Sequence, residues 1–334
     1  MSLPQDVLGE RAAGLPRAEA EYLPPMLATL THNHFSSPDW IFERKLDGER
    51  CLVVRKGGKV RLYSRNRKEL NRTYPELVDA LRAMHAHGTP DFVADGEVVA
   101  FSGQVTSFKR LQRRMQVKDP EEARSSRVAV YLYLFDLPVC DGLDLSSLPL
   151  VDRKKVLKVL LEYEDPIRYT AHRNQEGVDY HRQACRKGWE GIIAKRRDAA
   201  YTGKRSRDWL KFKCGRRQEF VICGFTEPEG ERVGFGALLL GYYDGDSLRY
   251  AGQVGTGFDN EFLRSFRETL ADIERAEPPV ESGQLPSKGV HWVEPEYVGE
   301  VGFTEWTGKG RLRHPRFLGL RRDKAPRQVV REEA

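Results

Sequence analysis

Two runs rich in β-formers, residues 51–56 and 59–64, flank Gly57-Gly58, a turn that tolerates positive φ, and together they predict a hairpin. Downstream, Leu77, Leu81 and Met84 fall on one face of a helix opening near Pro75. Residues 92–101 read as a strand pair around Asp95-Gly96, and 128–137 form a continuous apolar and aromatic run of the kind a buried strand needs. Helices are predicted at 151–163 and 178–187, the second stopped by Gly188, with short strands at 192–194 and 209–212. Antiparallel hairpins mixed with helices indicate an α+β domain rather than a doubly wound parallel sheet. After Gly215 the texture changes to short β-rich runs at 219–226, 236–243 and 247–254, one helix at 260–274, and further strands through Trp306. That count of strands around one helix suits a small OB-fold barrel. The expected division is a polar tail or linker at 1–22, a first domain at 23–214 and a second at 215–334.

A chain of 334 residues buries more than one core, with 40% hydrophobic and 31% charged residues. It carries no apolar run of membrane-spanning length and no signal-peptide pattern. The five cysteines are an odd number, widely spread and without a Cys-x-x-Cys pair. That predicts free thiols in a reducing cytoplasm, with neither a disulfide framework nor a zinc site. The net charge of +6 is compatible with a polyanionic partner. Basic residues crowd 110–114, 195–197, 204–217 and 311–324, and four such stretches favour phosphate or nucleic acid over a merely solvated face.

The chemistry centres on Glu43-Arg44-Lys45-Leu46-Asp47-Gly48-Glu49-Arg50. An ammonium has no lone pair, so Lys45 becomes a nucleophile only where its surroundings favour the neutral amine. Four further stretches set carboxylates or cations at strand ends: Ser64-Arg65-Asn66, Asp95-Gly96-Glu97, Glu190-Gly191-x-x-x-Lys195 and Lys211-x-Lys213. Glu190 and Lys195 are five apart, so a regular strand does not put them on one face. Lys211 and Lys213 do share a face, which is costly unless an anion lies beside them. Phe135-Asp136 adds an aromatic able to stack on a base.

In this order the motifs resemble the covalent nucleotidyltransferase superfamily of DNA ligases, RNA ligases and mRNA capping enzymes, over residues 22–324. Arg313-His314-Pro315-Arg316-Phe317-Leu318-Gly319-Leu320-Arg321-Arg322-Asp323-Lys324 resembles that superfamily's C-terminal motif in its DNA-ligase form. The stretches 235–243, 254–258 and 303–307 are most similar to bacterial ATP-dependent ligases of the LigD end-joining family. The resemblance implies a nucleotidyltransferase domain followed by an OB-fold, ATP and a divalent metal (Mg²⁺ or Mn²⁺) as cofactors, and nicked double-stranded DNA as substrate. It further implies the Ku end-binding protein as a partner, a monomer, and action at the bacterial nucleoid.

By the same resemblance Lys45 carries AMP, assisted by Asp47, Lys211 and Lys213. Glu43 reads the adenine amino group, Phe135 stacks on the ring, and Arg50, Arg65 and Glu97 contact ribose and phosphate. Lys195 and Arg205 bind the nucleotide, and Glu190 with Glu97 holds the metal. Arg316, Arg321, Asp323 and Lys324 orient pyrophosphate in the first step only, with a hinge expected at 214–217. No domain able to encircle DNA precedes residue 22, so nick binding is expected to be strongly salt-dependent. The alternatives are an RNA ligase or capping guanylyltransferase and, from another class, a non-catalytic OB-type nucleic-acid binder.

Overall fold

The computed structural model describes residues 2–84, 89–281 and 285–332, which fold as two compact units, one through Cys214 and one from Gly215. Among these residues no helix is long and apolar enough to cross a membrane.

The first unit opens on α1 (Leu3–Leu8), then β1 (Leu27–Leu30) and β2 (Trp40–Arg44). The hairpin β3 (Glu49–Lys56) and β4 (Lys59–Ser64) turns at Gly57 and Gly58, both at positive φ, and leads to α2 (Pro75–Ala83). β5 (Phe92–Ser102), β6 (Val105–Thr106), α3 (Phe108–Met115) and α4 (Pro120–Arg124) follow. Then come β7 (Val130–Cys140), β8 (Leu143–Asp144), α5 (Leu150–Leu160), β9 (Ile167–Tyr169), β10 (His172–Asn174) and α6 (Gly177–Arg186). The unit closes on β11 (Gly191–Arg196) and β12 (Arg205–Lys213). Residues 92–101, expected as a strand pair, form the single strand β5. Its register shifts around Asp95 absorb the irregularity that suggested a turn.

The strands make two sheets, one ordered β1-β12-β11-β2-β10 and the other β4-β3-β5-β7-β8, with β6 on β5 and β9 on β7. Pleating sorts the first sheet by face. Phe42, Ile192, Ala194, Leu210 and Phe212 pack with Tyr180 and Ala184 of α6. The alternate positions Glu43, Lys195 and Trp209 point the other way, where Trp209 joins Met26, Phe135 and Tyr201 in a separate cluster. The second sheet buries its inner face under α2, α3 and α5 through Leu77, Leu81, Leu111, Val156 and Leu157.

The outer face of that second sheet, around Leu52, Val54, Val93 and Val139, is covered by Ala18, Ala20, Tyr22 and Leu23. Within residues 1–22, expected as a tail or linker, the chain is thus packed on the first unit from Leu3 onward. The Leu3 amide donates to Asp141 at 2.9 Å, Arg11 pairs with Asp152 at 3.0 Å, and Ala12 is fully buried. Leu3, Val7, Leu8 and Leu15 also pack against the core under the second sheet, too few apolar residues in a polar stretch to register as a periodic pattern.

The second unit contains β13 (Arg216–Thr226), β14 (Leu238–Asp244), β15 (Ser247–Val254), α7 (Asn260–Ala271) and, among the described residues, six further strands that include Val298–Phe303 and Arg316–Leu320. β13 pairs with both β14 and the 298–303 strand, curling the sheet around Phe220, Ile222, Phe225, Leu240 and Val301 against Leu263, Phe266 and Leu270 of α7. Such a curled sheet with one helix is an OB-fold.

Candidate active site

Lys45 lies one residue beyond β2, where its amide donates to the Gly191 carbonyl at 3.0 Å. Its Nζ is 2.6 Å from Glu190 Oε2, and the carboxylate is almost fully buried. Glu190 reaches this point because Gly191 takes φ +148°, and a Cβ there would stand 2.0 Å from the Phe212 carbonyl oxygen. The glycine turns the chain at the start of β11, so Glu190 and Lys195 both serve one site despite their odd spacing. Asp47 braces the following loop. Its amide donates to Thr106 Oγ1 at 3.1 Å, and its carboxylate accepts from the Phe108 amide at the start of α3.

Two residues before Lys45, Glu43 is buried between two lysines. Lys195 lies 2.6 Å from one carboxylate oxygen and Lys154 2.5 Å from the other. Lys154 also donates to the Thr170 carbonyl at 3.0 Å. Burial pushes the Glu43 carboxyl up, but the two ammonium groups outweigh it and hold the group below the usual carboxylate range. Lys195 lies over the rings of Phe135 and Trp209, at 4.2 and 4.0 Å from their centroids. Burial drives its pKa down to about 8 despite Glu43.

Between about pH 8 and the ordinary lysine value, the folded chain therefore binds fewer protons here than the unfolded chain. Stability from this group should rise with pH across that window. Titration of isotope-labelled lysine by NMR should find one side chain changing state near pH 8 in wild type and none there in Lys195→Arg.

Behind the aromatics, Asp95 is fully buried on β5. It holds Arg50 in a two-pronged pair with both contacts at 2.5 Å, and it accepts from the Tyr201 hydroxyl at 2.6 Å. Burial lowers the Arg50 pKa and the Asp95 charge more than reverses this, so the guanidinium stays charged. It lies 4.8 Å from the Phe135 centroid. Asp136 and Arg153 form a second pair with both side chains fully buried, 2.7 Å apart. The result is a buried aromatic pair, Phe135 edge-on to Trp209 at 6.1 Å between centroids, bordered by fixed charges. An aromatic face beside fixed hydrogen-bonding charges suits a flat base.

The ATP dependent DNA ligase domain matches residues 25–213, and the ATP dependent DNA ligase C terminal region matches 231–324. The chain belongs to the ATP-dependent DNA ligase family. Similar relatives include the multifunctional non-homologous end joining protein LigD of Pseudomonas aeruginosa, 39% identical over 320 residues. That match covers 93% of this chain and 37% of the relative. The corresponding LigD protein of Mycobacterium tuberculosis is 38% identical over 323 residues, with 94% and 40% covered. The chain thus spans well under half the length of these relatives. A solved structure of mycobacterial DNA ligase D complexed with ATP and MES is similar with a TM-score of 0.67 at 36% identity, covering 93% of this chain and 98% of that one.

Within this ligase fold, the first unit links Glu43, Lys195, Phe135 and Arg50 through successive contacts and, two residues on from Glu43, pairs Lys45 with Glu190. Lys211 and Lys213 share the β12 face that pairs with Ile193 and Gly191. Glu97 lies opposite Arg50 on β5 and is half-buried. Arg65 follows β4, where its carbonyl accepts from Tyr22. Arg205 is exposed at the start of β12 and donates to the Ala28 carbonyl at 2.7 Å. In the second unit, Arg321 makes a two-pronged pair with the buried Asp323 at 2.7–2.9 Å and lies 3.4 Å from Glu300. Lys324 reaches Glu219 at 3.2 Å, and Arg316 is exposed.

Sequence reasoning missed Lys154, Asp95 and Tyr201 as site residues. The signal for Lys154 was its place among Leu150, Val156, Leu157 and Leu160, where a helix buried on most sides carries a cation only if an anion receives it. The expectation of free cysteines also fails, because Cys185 and Cys214 are joined in a disulfide. They are 29 residues apart, and the return of β12 along β11 beneath α6 brings them together.

Proposed function

We propose that the chain seals nicks in double-stranded DNA by adenylyl transfer, in three steps that begin at Lys45. The neutral amine attacks the α-phosphorus of ATP, the N–P bond forms, and pyrophosphate leaves. AMP then passes to the 5′-phosphate of a nick, and the 3′-hydroxyl displaces it to close the backbone. The observation that carries this reading is the 2.6 Å contact of Lys45 with the buried Glu190, two residues from the Glu43 clasp.

Glu190 holds the amine at the strand end, and the Asp47 loop fixes its approach. Lys211 and Lys213 add positive potential that offsets phosphate charge. Phe135 stacks on the base, and Glu43 accepts from its amino group. Arg50, Arg65, Glu97, Lys195 and Arg205 serve ribose and phosphates. A divalent metal, when bound, neutralises charge on the phosphate oxygens. Carboxylate oxygens are its natural donors, and Glu190, which here faces the ammonium of Lys45 as a stand-in cation, fits that role together with Glu97.

For the second unit we infer a first-step role for Arg316, Arg321, Asp323 and Lys324 in orienting pyrophosphate, with the connection at 214–217 as hinge. Arg321→Ala should then slow self-adenylylation at least about tenfold more than sealing of a nick that already carries AMP, and equal losses would remove the role. The biological setting we infer is end joining, with Ku as the partner.

The direct experiment is sealing of a 5′-phosphorylated nicked duplex with ATP and Mg²⁺ or Mn²⁺, comparing DNA with RNA strands and ATP with GTP. Sealing of nicked DNA with ATP is expected. Covalent labelling from GTP alone would overturn the reading.

A further inference from the structure

A cluster of nitrogen and sulfur ligands lies outside the residues used above. His181 and Cys185 are four apart on α6 and therefore share a face. Cys214 directly follows β12, whose last residue Lys213 pairs with Gly191 at the start of β11. The ligand atoms of His181, Cys185 and Cys214 all lie within 4.8 Å of one another, and all three residues are half-buried, hence open to ions from solution. His181 Nε2 is 3.5 Å from Cys185 Sγ and 3.2 Å from the Lys213 carbonyl oxygen. Against the His181 ring, at 4.0 Å between centroids, lies His34, whose buried Nε2 has no hydrogen-bond partner.

We propose that the reduced chain binds one zinc-class divalent cation through the sulfurs of Cys185 and Cys214 and a ring nitrogen of His181. Two thiolates and an imidazole are the donor set of zinc, whereas Mg²⁺ and Ca²⁺ require oxygen. Helical spacing of two ligands with the third from a neighbouring strand end gives the convergence a tetrahedral ion needs, the fourth position being filled by water. The metal-bound form and the disulfide exclude each other. A dithiol reductant supplies two electrons and two protons, becoming a disulfide while Cys185 and Cys214 become thiols. Metal binding then releases both thiol protons. If Nε2 is the ligand it gives up its contact with the Lys213 carbonyl, so occupancy is transmitted to the strand end that carries Lys213.

The test uses the full, untagged chain, reduced with a phosphine, incubated with Zn²⁺ and freed of excess metal by gel filtration. Elemental analysis should find one zinc per reduced chain and none on the disulfide form. Cys185→Ser/Cys214→Ser and His181→Ala should each retain none under the same conditions. Cobalt(II) added to the reduced wild type should give the intense near-ultraviolet band of thiolate-to-metal charge transfer, a readout independent of how the variants fold. The proposal is overturned if reduced wild type keeps no zinc, if His181→Ala keeps as much as wild type, or if cobalt gives no thiolate band.

Discussion

A Lys45→Ala chain should take up no label from ATP radioactive at its α-phosphate, and sealing of an ordinary nick should fall by at least about 10⁴-fold. No other amine replaces it in the proposed scheme. Lys195 is committed to Glu43 and to two aromatic faces, and Lys154 to the other oxygen of the same carboxylate. The fold should survive, because Lys45 lies past the end of β2 and is held there by a backbone hydrogen bond that alanine keeps. A loss of a few degrees in Tm is expected, since the buried Glu190 loses one of its counter-charges. The same variant should still close a nick that already carries AMP on its 5′-phosphate, because displacement by the 3′-hydroxyl needs no lysyl-AMP. Retained labelling would remove Lys45 from the mechanism. Loss of closure on the pre-adenylylated nick would assign it a different role.

The largest stability effect is expected at Lys154. Lys154→Met removes one of two ammonium groups facing a fully buried carboxylate, a change of the kind that costs about 3–5 kcal/mol. In a unit of this size that lowers Tm by roughly 10 °C in a thermal melt followed by circular dichroism. The pH dependence follows from the direction of the Glu43 shift. A carboxyl held below its ordinary value contributes stability at neutral pH, and that contribution is lost as pH falls through the folded-state value. Without Lys154, burial is opposed mainly by Lys195, so the Glu43 value rises and acid unfolding moves to higher pH. Glu43→Gln/Lys154→Met should lose less than the sum of the two single losses, since both changes act on one carboxylate–ammonium contact. If the two losses simply add, the clasp is not a coupled unit.

The hairpin, Lys45 and the downstream motifs were legible because each is local: Gly-Gly between β-rich runs, a lysine before Asp-Gly, two lysines at strand spacing. What stayed hidden is the long-range pairing of charges. Lys154 belongs to an Arg-Lys-Lys run that reads as solvated surface, and its partner stands 111 residues earlier. Asp95 and Arg50 are 45 apart, and only the register of β3 against β5 brings them to one place. The Cys185–Cys214 pair likewise depends on how α6 crosses the sheet, which no spacing rule conveys. Glu190 and Lys195 were legible as residues but not as partners in one site, because Gly191 breaks the strand parity on which that judgement rested.

The cover that Ala18, Ala20, Tyr22 and Leu23 lay over the second sheet sets a limit on dissecting this molecule. Homology to the ligase domain starts at residue 25. A protein trimmed to that point would uncover Leu52, Val54, Val93 and Val139 as a contiguous oily plate. Such a plate invites self-association, so a shortened enzyme that precipitates or looks inactive would say little about its chemistry. The smallest piece worth testing alone is set by the lagging of the sheet, several residues earlier than the boundary that shared sequence suggests.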